Sequence, residues 1–152
     1  RIARGAEPAV YTTQNYDYEV GKAITALDGT DLTIIATGSL VALSISAANG
    51  LAKEGISVRV IDMHTIKPLD ADAIDASVAK TGCAVVCDNH NVIGGLCSAV
   101  AEALALRRPT PLEFIGFQDC FGAVGKMSDL MERFGMTSHH IADAAKRVME
   151  RR

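Results

Sequence analysis

The sequence lacks the features that mark membrane-bound, exported and nucleic-acid-binding proteins. No apolar run approaches the ~20 residues that a membrane-spanning helix needs, and we expect no signal peptide, because no segment has its pattern. The formal net charge is −3, and basic residues form no stripe beyond the pairs Arg107-Arg108 and Arg151-Arg152. These absences argue against a membrane and against a nucleic acid as partners.

Also absent are the motifs of several enzyme classes. The chain has no GxxxxGK[ST] loop, and Gly38 is followed by Ser-Leu-Val-Ala rather than by the glycines of a GxGxxG turn, so a nucleotide-dependent enzyme is not supported. It also has no GxSxG elbow, the strand-to-helix turn that carries a hydrolase serine. The sequence therefore contains no complete catalytic site, and we assign it no catalytic residue.

The four cysteines have neither the CxxC pairs nor the histidine spacing of a zinc site. They are Cys83, Cys87, Cys97 and Cys120. Cys87 ends an apolar run, where burial keeps a thiol protonated, so a nucleophilic Cys87 or Cys97 with His90 as its base is disfavoured. Cys120 falls in a predicted loop and is expected to be more reactive. Buried free thiols are typical of cytosolic proteins, so we expect a cytoplasmic location.

What the sequence does contain is enough apolar material for one folded domain. Its 152 residues are 49% hydrophobic and 22% charged, which is the balance of a globular protein with a core of its own. The chain begins Arg-Ile-Ala without an initiator methionine. We therefore expect it to be a piece of a longer polypeptide.

The hydrophobic pattern predicts an α/β fold. From residue 32 onward, short β-branched runs alternate with longer helical periods, which indicates a mostly parallel sheet in a three-layer α/β/α sandwich. Before it, runs at 23–27 and 32–36 flank a polar segment with Gly29, and this pattern predicts an antiparallel hairpin in which Gly29 has a positive φ. The hairpin would supply an antiparallel edge strand. Asp70 and Ser128 are predicted to cap helices.

Three polar segments follow successive predicted strands, at 37–39, 62–65 and 88–91. The last is interpreted as a polar bend between a buried strand at 84–87 and a helix opened by two glycines. Carboxyl ends of parallel strands meet at one edge of a sheet, where α/β proteins bind ligands. The candidate ligand or interface residues are Ser39, His64, His90, Asn91, Gly94 and Gly95.

Two interpretations of these six residues stay open. They could bind a small anion such as phosphate, because Ser39 and the two glycines place amide groups at helix starts. They could instead only cap helices and turn corners, as every such sheet requires. The two loop histidines, His64 and His90, have no HxxxH-type spacing, so no metal site is predicted.

Four segments resemble the C-terminal domain of the transketolase family of thiamine-diphosphate enzymes. They are PAVY at 8–11, DLTIIATG at 31–38, GISVRVIDMHTIKP at 55–68 and HNVIGGL at 90–96. The VIDMHTIKP portion is specific, and the likeness covers nearly the whole chain. It is closest to the short, split transketolase-type subunits, and looser to deoxyxylulose-phosphate synthases and to the β chains of 2-oxoacid dehydrogenases.

The resemblance implies a domain organisation and a function. Residues 1–15 would be a connector from an absent pyrimidine-binding domain, and residues 16–152 the C-terminal domain. The parent enzyme, a homodimer, would transfer two-carbon ketol units between sugar phosphates with thiamine diphosphate and Mg²⁺. Those groups would be held by the N-terminal domains or subunit, because the family's Gly-Asp-Gly cofactor motif has no counterpart here.

This domain would then bind no cofactor, and it would serve in packing, dimerisation and completion of the active site. The alternative function, from a different class, is a stand-alone module that binds a small anion or phosphate at the candidate residues. A cysteine hydrolase is a third and less favoured hypothesis.

Overall fold

A computed structural model of the chain describes residues 8–11 and 17–152. The strands are β1 (Ile24–Leu27), β2 (Leu32–Ala36), β3 (Val58–Asp62), β4 (Ala84–Asn91) and β5 (Leu112–Phe117). The helices are α1 (Leu40–Ala52), α2 (Ala71–Thr81), α3 (Leu96–Arg107), α4 (Met127–Arg133) and α5 (Ser138–Met149). Of the predicted connector at 1–15 only residues 8–11 are described, so its full extent lies outside the described residues.

The central strand of the sheet is β2, and the strand order is β1-β3-β2-β4-β5. It pairs in parallel with β3 and β4, and β5 continues the sheet in parallel beyond β4. Every residue of β2 is buried, because a strand flanked on both sides and covered on both faces has no row of side chains in solvent. The predicted, mostly parallel sheet is confirmed.

Helices cover both faces of this sheet. Ile34 of β2 packs in one apolar cluster with residues of α1 and α5, whereas its neighbour Ile35 packs in a second cluster with residues of α2 and α3. Successive side chains of a strand point to opposite faces, so the two clusters lie on the two sides of the sheet. The three-layer sandwich is therefore confirmed. Within the described ranges, no helix has the length and apolarity needed to cross a membrane.

The antiparallel edge strand exists, but the predicted hairpin between 23–27 and 32–36 is wrong. β1 pairs antiparallel with β3 and not with β2, with Ile24 opposite Asp62. β3 therefore lies between the two strands that the sequence pattern joins.

The hairpin does not form because of the hydrogen bonds made by the loop at residues 28–31. The amides of Thr30 and Asp31 both donate to the carbonyl oxygen of Ser57, at 3.1 and 2.8 Å. Residues 28–31 thus run past the amino end of β3 and form their backbone hydrogen bonds with it. They do not fold back into a hairpin turn. No tight turn forms, and Gly29 does not have the predicted positive φ.

The two predicted helix caps have different outcomes. The side chain of Asp70 accepts a hydrogen bond from the amide of Ala73 at 3.1 Å, as predicted for the start of α2. Ser128 is not a cap, because α4 already begins at Met127. Its hydroxyl donates to the carboxylate of Asp129 instead, since a residue inside the first turn is not in the extended conformation that a capping side chain requires.

Candidate functional site at the carboxyl edge of the sheet

The carboxyl ends of β2, β3 and β4 form one edge of the sheet, as the parallel pairing requires. Ser39 follows β2 at the start of α1, and the side-chain amide of Asn89 in β4 donates to its hydroxyl at 3.5 Å. His64 follows β3, whereas His90 lies in β4. The central strand β2 lies between β3 and β4. The six candidates therefore share one edge but form two groups along it.

β4 continues through the segment that the sequence predicts as a polar bend at 88–91. The strand extends to Asn91, which pairs with Phe117 of β5 after a shift in register. The amide of Val92 then donates to the carbonyl oxygen of Phe117 at 3.0 Å. The polar segment stays extended because β5 supplies hydrogen-bond partners for its backbone, and the bulge changes the direction of its side chains.

Asp88 joins the end of β4 to the start of α3. It is 6% exposed, and its Oδ2 accepts a hydrogen bond from the amide of Leu96 at 3.0 Å. A carboxylate at this point satisfies an amide that the helix leaves free and suits the helix dipole. A Cβ on Gly95 would lie 2.7 Å from the same oxygen, so glycine is needed there for close packing. Asp88 was not among the candidates chosen from sequence, although an acid between a buried strand and a Gly-Gly helix start was an available signal.

Two amide groups at the start of α3, those of Gly94 and Leu96, already have partners within the chain. The amide of Gly94 donates to Oγ of Ser98 at 2.8 Å, and that of Leu96 is held by Asp88. An anion at this helix start would compete with both partners and would face the carboxylate of Asp88. The geometry therefore gives little support to phosphate binding at Gly94 and Gly95, in spite of the favourable helix position.

An open cleft of about 470 Å³ lies at the ends of β4 and β5. It is lined by His90, Asn91, Phe117, Cys120 and Gly122. Nδ1 of His90 is 3.0 Å from the carbonyl oxygen of Asn91, and because a carbonyl only accepts, Nδ1 is the donor in this hydrogen bond. The side-chain amide of Asn91 donates to Oδ1 of Asp119 at 2.9 Å. The lining of the cleft thus combines two polar side chains, one aromatic ring and one thiol.

His64 belongs to the second group, at the end of β3. Its Nδ1 lies 2.9 Å from Oγ1 of Thr65, and the ring of Tyr18 packs against it with the centroids 4.3 Å apart. Nε2 of His64 is buried and has no hydrogen-bond partner in the part of the chain that the structure describes. The hydroxyl of Tyr11 donates to Asp62 at 2.9 Å, while burial raises the pKa of that carboxyl. Two tyrosines thus attach the incoming chain to this edge.

The cysteines have the environments that the sequence predicts. Cys83, Cys87 and Cys97 are buried, and Cys120 is exposed. Burial raises the pKa of the Cys97 thiol to about 12 and raises that of Cys87 as well. A cysteine nucleophile must be deprotonated to react, so the geometry argues against a catalytic Cys87 or Cys97.

We expect a maleimide reagent to modify Cys120 alone in the native chain near neutral pH, because the other three thiols are buried and protonated. Mass spectrometry of the proteolytic peptides gives the extent of reaction at each site. All four thiols should react in denaturant, which controls for the reagent. Reaction of Cys87 or Cys97 as fast as that of Cys120 would restore the cysteine-hydrolase hypothesis.

The sequence of this chain is similar to a known protein family and to several known proteins. The sequence model of the family described as "Transketolase, C-terminal domain" matches residues 21–141. The chain is 45% identical over 146 residues to the 6-deoxy-6-sulfo-D-fructose transketolase subunit SqwH of Clostridium sp. (strain MSTE9), covering 95% of this chain and 45% of that protein. It is 37% identical over 145 residues to an apulose-4-phosphate transketolase subunit of Phocaeicola vulgatus, covering 95% and 46%.

Solved structures agree with these sequence relatives. One described as a split gene transketolase, an inactive beta4 tetramer, superposes with a TM-score of 0.92 at 35% identity, over 97% of this chain and 48% of that chain. The transketolase from Leishmania mexicana, at 23% identity and a TM-score of 0.65 over 86% of this chain and 18% of that chain, shares the fold. The chain spans about half the length of the curated relatives it matches. Because the family match extends from before β1 into α5, the chain belongs to the family of transketolase C-terminal domains.

Proposed function

We propose that this chain is the C-terminal domain of a split-type transketolase subunit, in an enzyme that transfers two-carbon ketol units between sugar phosphates. The observation that carries the proposal is the superposition of nearly the whole chain on about half of a split gene transketolase. The name of the Phocaeicola vulgatus relative, an apulose-4-phosphate transketolase subunit, supports a sugar phosphate as the substrate class.

We propose that thiamine diphosphate and its divalent metal, on which transketolases depend, are held outside this domain. A magnesium diphosphate needs oxygen ligands grouped around the cation, and residues 8–11 and 17–152 contain no group of three or more His, Cys, Asp or Glu side chains that could hold a metal. The buried carboxylates Asp62 and Asp88 are already bonded to Tyr11 and to the amide of Leu96. We therefore place the cofactor in the N-terminal domains or in a partner subunit.

The role proposed for this domain is packing, dimerisation and completion of the active site, with residues 16–152 as the domain and residues 1–15 as its connector. Two relatives are named as single subunits of transketolases, which supports a second, cofactor-binding subunit as partner. The Tyr11–Asp62 hydrogen bond supports a connector that is held against the body of the domain. Such a connector would fix the orientation of the domain that precedes it.

The experiment that tests the function is calorimetric titration with thiamine diphosphate and Mg²⁺. We expect no heat of binding with this 152-residue chain. Binding and ketol transfer should both appear once the chain is part of its full-length subunit and is mixed with the cofactor-binding partner. Cofactor binding by the chain alone, or a complete complex without ketol transfer, would overturn the proposal.

A stand-alone anion-binding module is the second candidate, and a specific observation weighs against it: the amides of Gly94 and Leu96 are occupied within the chain. Titration of the same chain with inorganic phosphate decides the matter. Saturable binding that is lost in a His90→Ala variant would favour the module over the transketolase domain.

A further inference from the structure

The two edge strands of the sheet differ in length and in regularity. β1 has four residues, and its pairing with β3 is interrupted by a shift in register between Thr25 and Leu27. β5 has six residues, and the register shift in its pairing with β4 adds residues to β4 and not to β5. Short or bulged edge strands are poor templates for a further strand, whereas longer and regular ones readily pair with another chain. The edge of β5 is therefore the one open to strand addition.

Three residues of β5 direct their backbone groups away from the sheet. The amide of Ala84 donates to the carbonyl oxygen of Pro111 at 3.1 Å, so Pro111 faces β4. Successive residues of a strand in a parallel ladder bond to opposite sides, so the even-numbered residues from 112 to 116 face away from β4. We call Leu112, Phe114 and Gly116 the free edge of β5. Within the described ranges, no further strand pairs with this edge.

Side chains already occupy two of the three carbonyl oxygens on the free edge. Nη1 of Arg151 donates to the carbonyl oxygen of Leu112 at 2.9 Å, and Nε2 of Gln118 donates to that of Gly116 at 3.3 Å. A further strand would have to displace both donors or form its bonds at Phe114 alone. The free edge thus offers an incoming strand one complete residue in place of three.

A second contact holds Arg151 in this position. Its Nη1 lies 2.8 Å from Oε1 of Glu113, and Arg147 lies 3.4 Å from Oε2 of the same carboxylate. A guanidinium carries several donors in one plane, so it can bond to a carboxylate and to a carbonyl oxygen together. Exposed ion pairs contribute little to stability, whereas charged side chains on an edge strand hinder its pairing with another chain. The position of Arg151 is therefore better explained by the strand edge than by stability.

We propose that Arg151 and Gln118 keep the free edge of β5 from pairing with the same edge of a second copy of this chain. The proposal does not depend on the function proposed above. A second copy fits the free edge because a two-fold axis at Phe114 places Leu112 of each copy opposite Gly116 of the other. Antiparallel pairing would then satisfy the outward groups of all three residues. Two five-stranded sheets would become one, and growth would stop there because β1 is short and bulged.

Sedimentation velocity of the full-length subunit tests the proposal with the double variant Arg151→Ala/Gln118→Ala. The two substitutions make all three carbonyl oxygens of the free edge available. We expect the double variant to form assemblies of twice the wild-type mass, with an apparent Kd at least about tenfold below that of the wild type. Arg147→Ala is the matched control, because Arg147 contacts the same Glu113 but no backbone oxygen of β5. It should sediment as the wild type does.

Hydrogen exchange locates the new contact in the double variant. Pairing through the free edge gives bonding partners to the amides of Leu112, Phe114 and Gly116. Their exchange should slow by at least about tenfold when the protein concentration is raised through the association range. Exchange in β1, at residues 24–27, should not change, because that edge takes no part in the pairing.

Three results would overturn the proposal. Wild-type sedimentation of the double variant would show that the two side chains do not control association. A doubled mass without slower exchange at the free edge would assign the association to another surface. Precipitation of the double variant together with a lowered Tm would show that Arg151 and Gln118 act on the stability of the fold instead.

Discussion

Replacement of Gly29 by alanine is expected to destabilise the domain by about 3 kcal/mol. Gly29 is buried, and a Cβ there would lie 2.2 Å from the carbonyl carbon of Val58 and 2.6 Å from the amide nitrogen of Arg59. Both atoms belong to the backbone of β3, so no rotation of a side chain can relieve the overlap. Either the loop at residues 28–31 or strand β3 must move. Such a movement breaks the hydrogen bonds from the amides of Thr30 and Asp31 to the carbonyl oxygen of Ser57. Urea denaturation measures the loss.

Gly50→Ala is the matched control for this change. Gly50 lies in α1, and a Cβ added there would meet no heavy atom within 4 Å other than the neighbouring backbone of its own helix. Since alanine is the better helix former, this variant should gain up to about 1 kcal/mol. If the free energy of unfolding of Gly29→Ala instead lies within about 0.5 kcal/mol of the wild-type value, the loop at residues 28–31 can shift without loss. The close approach of Gly29 to β3 would then have no structural importance.

Replacement of Asp88 by alanine should have the second largest effect, a loss of about 2 kcal/mol. The substitution removes the acceptor of the Leu96 amide and leaves that amide without a partner in a buried position, because Leu96 is fully buried. The end of β4 and the start of α3 would then be joined less firmly. Hydrogen exchange should therefore rise at residues 89–97 before it rises in the rest of the sheet.

Asp129→Ala is a suitable control, because Asp129 also places a carboxylate near the start of a helix, here within the first turn of α4, but is exposed. Its replacement should lower the free energy of unfolding by about 0.5 kcal/mol or less. Asp88→Asn retains an oxygen acceptor of the same shape and should fall between the two. Equal stability of Asp88→Ala and Asp129→Ala would show that the bond to the Leu96 amide contributes nothing.

The carboxyl-edge site was predictable in part. Alternating strand and helix patterns place Ser39, His64 and His90 at one edge, since parallel strands must end together. The same patterns do not show that β4 stays extended to Asn91, because that depends on backbone partners from β5, far away in sequence. They also do not show that Asp88 occupies the amide at the start of α3, the contact that makes the Gly-Gly segment a poor anion site.

The pairing of the edge strand β1 is a second feature that the sequence pattern does not predict. A turn-like segment between two apolar runs is typical of a hairpin, and residues 28–31 have that composition. Whether the runs pair with each other depends on what else can pair with them. Here β3 supplies partners for β1 and for the loop at residues 28–31, so Gly29 is required for a close approach of two backbones and not for a positive φ.

The sequence by itself determined the fold class, the four parallel strands, the buried thiols and the family, because these depend on local periodicity and on motifs contained in short segments. Only the tertiary structure decided the strand next to β1, the partner of Asp88 and the burial of Nε2 of His64. These features depend on residues far apart in the chain, and a one-dimensional pattern does not specify which of several possible partners is close enough to bond.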